Sequence, residues 1–246
     1  MNPSDKNELL NLIENAKEFD KTKNLTFLKN VILNYEKQKY HTSPGKFSFD
    51  KIKSIGETAY QRAIFSSNKA SFENLGEVVW NDLELPVNFS KRSRRRCVDL
   101  IGTLKNDKLV LCELKFASEK SNSNNPIYTI IELLFYYFLI KENRAELDHH
   151  KVFHKNEGLI SFKWSNFNKD SIFIVGANEK YWTYWLERYK NQIDKIDEWL
   201  KKLPIVVHFF SSNNYDFKKQ KGNYEKYTPS ILGKTNWKEI FVKGEK

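Results

Sequence analysis

Two short apolar runs with charges embedded in them constrain this chain more than any other feature. Arg96-Cys97-Val98-Asp99-Leu100-Ile101-Gly102 and Leu109-Val110-Leu111-Cys112-Glu113-Leu114-Lys115-Phe116 are rich in β-branched and aliphatic residues. The turn-like Lys105-Asn106-Asp107-Lys108 separates them, so both read as strands. A charge inside a buried strand is costly unless it is paired or bound to a metal. Asp99, Glu113 and Lys115, two acids and a base, are consistent with a divalent-metal site. The commoner fate of a strand charge is a pair on the exposed face of a sheet.

The pleat supplies a test. Side chains alternate faces along a strand, so Glu113 and Lys115 point one way and Leu114 the other. Directly opposed residues of an antiparallel hairpin share a face. A loop of Lys105, Asn106 and Asp107 sets Leu104 opposite Lys108 and Asp99 opposite Glu113. A two-residue Asn106-Asp107 loop sets Asp99 opposite Leu114 and splits the charges between faces. A metal site here therefore requires the odd-length loop or a bulge. In the odd-loop register Cys97 shares a face with Lys115 and Cys112 lies on the other, which forbids a disulfide between them.

At these residues the chain resembles the PD-(D/E)xK phosphodiesterases of the restriction-endonuclease-like fold. Their pattern is a helix bearing Glu, a strand bearing Asp, a following strand ending in Glu-x-Lys, and a further helix that often carries Gln or Tyr. Here the helix Glu is Glu57 in Ser54-Ile55-Gly56-Glu57-Thr58-Ala59-Tyr60-Gln61-Arg62-Ala63-Ile64-Phe65. The strand Asp is Asp99, and the triplet is Glu113-Leu114-Lys115. The further helix is Pro126 to Ile140, with Glu132 and Tyr136 on one side. The resemblance covers about residues 50 to 140, with weaker support to about 212. Val98 stands where the family has Pro, and Glu132 where many members have Gln.

The resemblance implies an α/β fold: a mixed central sheet of restriction-endonuclease type, flanked by helices. It also implies a Mg²⁺-dependent nuclease, with Mn²⁺ as an alternative ion. Asp99, Glu113, the backbone carbonyl of Leu114 and Glu57 would serve as metal ligands, and Lys115 would orient the attacking water or offset developing charge. Gln61 lies one helical turn from Glu57 on the same face and would assist.

The formal net charge is +10, which favours polyanions and predicts salt-sensitive binding. Lys91, Arg92, Arg94, Arg95 and Arg96 immediately precede the Asp99 strand and place positive charge where phosphates would approach. Nucleic acid, with DNA favoured over RNA, is the expected partner. A second basic stretch, Lys218, Lys219, Lys221 and Lys226 with Tyr224 and Tyr227, reads as a polar loop. It is as compatible with a solvated surface as with phosphate contact.

At 246 residues the chain is long enough for a sizeable core, and 40% apolar residues make it globular rather than disordered. No run reaches the roughly 20 apolar residues of a membrane span. The N-terminal residues lack the apolar core of a signal peptide, and two cysteines without paired spacing suit a reducing compartment, so a cytoplasmic location is expected.

Residues 1–43 read as an N-terminal helical hairpin and 44–246 as the nuclease-like domain, with Thr42-Ser43-Pro44-Gly45 as the boundary. Ser4 caps a helix to about Phe19 with Leu9, Leu12, Ile13 and Ala16 on one face. A second runs from about Leu25 to Lys39 with Leu28, Val31, Ile32 and Tyr35 on one face. Asp50 or Ser54 starts the Glu57 helix, which ends near Ser66 or Ser67. Ser71 to Leu83 then continues as helix, and Glu84 to Phe89 is a first strand, at an edge because of Pro86. Ser171 to Ala177 and Pro204 to Phe210 are buried strands joined by a helix from Tyr181 to Lys202, an order that favours a parallel crossover.

Other constellations are weaker. His150 and His154 have i, i+4 spacing beside Asp148 and His149, but the HExxH glutamate is missing and a surface cluster is the better reading. His208 reads as a satisfied core histidine. Trp182, Trp185 and Tyr189 read as core packing, with base stacking as the alternative. Two further functions stand beside the nuclease: a nucleic-acid-binding module of the same fold that has lost cleavage, and an interaction protein docking through its N-terminal hairpin. A homodimer is a third open point, because double-strand cleavage by a single-site fold often takes two subunits.

Overall fold

The charged hairpin folds in the odd-loop register. In the computed structural model of the protein, the Leu104 N–H donates to the Lys108 carbonyl at 3.0 Å. The ladder then runs Thr103↔Leu109, Gly102↔Val110, Ile101↔Leu111 and Leu100↔Cys112. Continued by one step, it sets Asp99 beside Glu113.

The structure describes residues 1–20, 23–35, 56–88, 96–105, 108–118, 123–150, 164–168, 170–203, 205–212, 216–220, 226–230 and 235–245. They form α1 (Pro3–Ala16), α2 (Asn24–Leu33), α3 (Glu57–Ser66), β1 (Lys69–Phe72), β2 (Gly76–Asn88), β3 (Arg96–Leu104) and β4 (Leu109–Lys115). There follow α4 (Pro126–His150), β5 (Ile172–Ala177), α5 (Glu179–Lys202), β6 (Val207–Ser211), β7 (Asp216–Gln220), β8 (Lys226–Ser230) and β9 (Thr235–Lys243).

Seven strands close into a barrel in the order β1-β2-β3-β4-β5-β6-β9. β1 to β4 form an antiparallel meander. β4-β5 and β5-β6 are parallel, crossed over by α4 and α5, and the second of these is the crossover that the strand-helix-strand order predicts. β9 pairs antiparallel with β6 and parallel with β1, from Ala70↔Thr235 to Phe72↔Trp237. The open restriction-endonuclease-like sheet expected from the sequence is thereby overturned. The sheet is mixed and flanked by helices, but its two edges are joined.

The miss traces to residues 71–88. Leu75, Val78 and Val79 fit a helical spacing, yet Asn74 (φ 63°) and Gly76 (φ 97°) are left-handed and turn the chain into a hairpin. Val78 and Trp80 then alternate into the barrel, as β-branched and aromatic residues do in strands. The predicted helix over Ser71 to Leu83 is therefore β1, a turn and the first part of β2. The predicted edge strand at Glu84 is the second part of β2, which lies between β1 and β3. Pro86 is accommodated beside a register shift between Pro86 and Asn88.

Inside the barrel, Phe72 stacks on Trp237 (5.3 Å between centroids) and meets Trp80 and Phe210 edge-on. Such aromatic pairs contribute about 0.5–1.5 kcal/mol each beyond their buried area. α3 joins this inner cluster through Tyr60, Ile64 and Phe65, with the Tyr60 ring 5.3 Å from Phe116. Anchored so, α3 holds its first residue, Glu57, beside the barrel.

A second apolar cluster lies outside the sheet, where α4, α5 and the α1–α2 hairpin cover it. Leu9, Leu12, Ile13 and Ala16 are buried as expected, but the α1 cap is Asn2, whose Oδ1 accepts the Asp5 N–H at 2.8 Å. α2 ends at Leu33 rather than near Lys39, and the boundary at Thr42 to Gly45 lies outside the described residues. α4 continues past Ile140 to His150, with non-helical dihedrals at Asn143. Lys218, Lys219 and Lys226 lie on the paired strands β7 and β8 rather than in a loop, and β8 lies against α3.

One close approach is open to test. A Cβ on Gly102 would stand 2.6 Å from Val78 Cγ1, 2.8 Å from Trp80 Cε3 and 2.9 Å from the Val79 carbonyl oxygen. Gly102→Ala is expected to lower the unfolding free energy by about 1–3 kcal/mol. Urea titration followed by tryptophan fluorescence measures this, and a midpoint equal to the parent's would contradict the packing of β2 on β3.

Candidate active site

β3 and β4 part company just beyond Leu100↔Cys112. From there β4 continues along β5 to Lys115↔Ala177, and β3 along β2 to Arg96↔Asn88. Side chains supply hydrogen bonds where the ladder ends. The Leu114 N–H donates to Asp99 Oδ2 at 2.8 Å, and the Asp99 N–H faces Glu113 Oε1 at 3.4 Å. Cys112 and Leu114 point into the barrel, so Glu113 and Lys115 point outward, on the face that α4 covers. All seven residues of β4 are buried.

The Lys115 ammonium gathers the acids. Its Nζ lies 3.5 Å from Glu113 Oε2, 3.6 Å from Glu132 Oε2 and 3.8 Å from Glu57 Oε1. Glu132, which stands where many members of the resembled family have Gln, thus pairs with Lys115. Its other oxygen accepts from the Tyr136 hydroxyl at 3.1 Å, with the Tyr128 hydroxyl at 3.5 Å. Glu57 Oε2 accepts from the Ser123 hydroxyl. The Lys115, Glu113 and Glu132 side chains are at most 9% exposed, whereas Glu57 is 36% exposed and Asp99 partly so. The cluster therefore opens to solvent on the side of Glu57 and Asp99.

Burial raises the Asp99 carboxyl to about 7; the Lys115 charge and the Leu114 amide oppose this, and the Glu57 and Glu132 charges add to it. Glu113 is driven well above the usual carboxylate range, first by burial and then by Asp99, whose carboxyl it hydrogen-bonds. Both shifts favour the protonated form of these two acids. For Lys115 burial works against the charge, but Glu57, Glu132, Asp99 and Glu113 outweigh it and hold the pKa well above that of ordinary lysine. Lys115 is thus a fixed cation and a hydrogen-bond donor, not a general base.

Asp99, Glu113, Lys115 and Glu57, singled out from the sequence, converge here. Gln61 is buried one helical turn from Glu57. Leu114 contributes its amide N–H to Asp99. Arg92, Arg94 and Arg95 lie outside the described residues, and Arg96 opens β3 three residues before Asp99. Cys97 and Cys112 are both free thiols. Asp148 accepts the Ser165 N–H at 3.0 Å and also that of Trp164, which is a structural duty. His154 and the side chains of His149 and His150 lie outside the described residues. His208 Nδ1 is 3.0 Å from Glu239 Oε1, a satisfied histidine as expected. Trp182 is buried and donates to the Phe210 carbonyl at 2.9 Å. Ser123 and Tyr128 were missed by the sequence reading. The signal that could have found Ser123 is its place in the polar run just before the Pro126 helix.

Four carboxyl groups around one ammonium leave an excess of acid, which suits a hard divalent cation. Asp99 and Glu113 stand side by side, and Mg²⁺ takes one or two carboxylates and keeps several waters. Among the described residues no group of three or more His, Cys, Asp or Glu side chains is placed to hold a metal. A shell completed largely by water is the kind this donor set fits. Compared with family models, curated proteins and solved structures, the chain matches none of them. Among the described residues no helix is long and apolar enough to cross a membrane.

Two variants test the electrostatics. Between pH 4 and 7 the folded state retains a proton on Asp99 that the unfolded chain has released, so this group's contribution lowers stability as pH rises through that window. Asp99→Asn keeps an acceptor for Leu114 and should melt above the parent at pH 8, with the difference vanishing near pH 4. Lys115→Met leaves the carboxyls without their cation. It should cost about 3–5 kcal/mol at pH 8 and less at pH 5, where Asp99 is protonated. Thermal and urea unfolding at the two pH values measure both, and a pH-independent difference would refute the assignment.

Proposed function

We propose that the protein is a divalent-metal-dependent phosphodiesterase that cleaves nucleic acid, DNA in preference to RNA. The observation that carries this reading is the convergence of Asp99, Glu113 and Lys115 from two parting strands with Glu57 from α3. This is the residue set of the PD-(D/E)xK pattern. The reading rests on those residues and not on the fold, since the barrel is closed.

Asp99 and Glu113 would hold the metal, with Glu57 at the open edge. When bound, such an ion lowers the pKa of a coordinated water and polarises a phosphate. The chain's own contribution is electrostatic and positional. Lys115, held charged by its neighbours, offers a fixed positive charge to the anion that develops on the phosphate. Glu132 and its tyrosines keep the ammonium in place. The net charge of +10 attracts the polyanion.

A second reading keeps nucleic-acid binding without cleavage. It is favoured by the absence, among the described residues, of a three-ligand acidic group, and by Lys115 already occupying the centre of the acids.

The deciding experiment incubates the purified protein with linear, circular and single-stranded DNA and with RNA, in Mg²⁺, Mn²⁺ or EDTA, beside Lys115→Ala. Metal-dependent cutting of DNA that falls by about 10³-fold or more in the variant is expected. No cutting, with salt-sensitive binding that persists in EDTA, would support the second reading. Neither cutting nor binding would reject both.

A further inference from the structure

We infer that Ser123 is a positioning residue for Glu57, an inference that rests on the site being a phosphodiesterase centre. Glu57 is the acid at the open side and the least constrained. It begins α3, it is 36% exposed, and its contact with Lys115 is a long 3.8 Å. A glutamate side chain loses much rotamer freedom when fixed, and a long, partly exposed ion pair does little to offset that loss. What fixes Glu57 among the described residues is the Ser123 hydroxyl.

That hydroxyl is itself oriented. Its oxygen accepts the Phe116 N–H at 3.0 Å. Its single proton then has two acceptors in reach, Glu57 Oε2 and the Phe116 carbonyl at 2.7 Å. The charged acceptor makes the stronger bond.

The backbone at and after Ser123 is pinned. The Ser123 N–H donates to the Phe116 carbonyl at 3.2 Å. The Asn124 carbonyl accepts from the Tyr181 hydroxyl at 2.8 Å, and Asn124 Oδ1 accepts from Asn24 of α2. Asn125 caps α4, its Oδ1 accepting the Tyr128 N–H at 2.9 Å. Phe116 follows Lys115 directly, so Ser123 ties the end of β4 to α3. With Oε2 held by Ser123, Oε1 is left facing Lys115.

Ser123→Ala, Ser123→Thr, Glu57→Gln and the Ser123→Ala/Glu57→Gln double variant would be assayed for metal-dependent DNA cleavage. Ser123→Ala should lower kcat by about 10–100-fold with KM within about twofold. Ser123→Thr should recover most of the rate, and Ser123→Ala should cost nothing further on Glu57→Gln. An equal loss in both backgrounds, or a parent-like rate in Ser123→Ala, overturns the inference. A second readout needs no cleavage: the ¹⁵N resonance of the buried Lys115 ammonium, assigned with Lys115→Met. If Ser123→Ala moves this resonance as Glu57→Gln does, the positioning stands even where the parent cuts nothing, and only the phosphodiesterase reading fails. If Glu57→Gln moves it and Ser123→Ala does not, the inference is overturned whether or not the parent cuts.

Discussion

The Lys115 ammonium, buried among four carboxyl groups, is the interaction on which the rest of the site depends. Each partner comes from a different part of the chain: Glu57 from α3, Glu113 from β4 itself, Asp99 from the neighbouring β3, and Glu132 from α4. In a water-poor setting an ion pair loses hydration on both sides, and only good geometry with further hydrogen bonds offsets that loss. The further bonds are present. The Leu114 amide serves Asp99, the tyrosine hydroxyls serve Glu132, and Ser123 serves Glu57.

The barrel makes such a cluster sustainable. β4 is buried on both faces, by aromatic packing inside and by α4 outside, so its direction is fixed by contacts that involve no charge. Where β3 leaves β4, backbone groups lose their ladder partners and carboxylates take some of them over. A parting of two strands is a natural place for acids, because amide N–H groups there are donors in need of an acceptor. The apolar frame therefore sets the position, and the splayed strands set the chemistry.

Much of this was legible in the sequence. Alternation along Leu109 to Lys115 narrowed the hairpin to two registers, and the structure takes the odd-loop one that sets Asp99 beside Glu113. The buried runs at Ser171 and Pro204 with a helix between them sufficed for the parallel crossover from β5 to β6. The closure was not legible. It depends on the parallel pairing of three residues of β1 with β9, a contact spanning over 160 positions that leaves no local periodicity. The turn that creates β1 rests on left-handed dihedrals at Asn74 and Gly76, within a stretch whose apolar spacing also fits a helix. Ser123 escaped for a related reason. A serine in a polar loop has no pattern, and its value comes from Glu57, 66 positions away.

On the proposed reading, the balance of charge is what sets this cluster apart from a structural ion pair. A chain selected for stability alone gains nothing from a second, third and fourth carboxyl around one lysine, since each added acid raises the others' pKa. Apolar residues of similar volume would do as well or better. The excess here is uneven. Glu132 and Glu113 lie deep and hold the lysine, while Asp99 and Glu57 sit at the opening with less to hold them. Unspent negative charge at the mouth of a site with a fixed positive charge behind it is suited to a metal cation together with an anionic substrate. On the proposed reading Glu132 keeps Lys115 charged and aimed, while Asp99 and Glu113, with Glu57 at the open edge, would receive the ion.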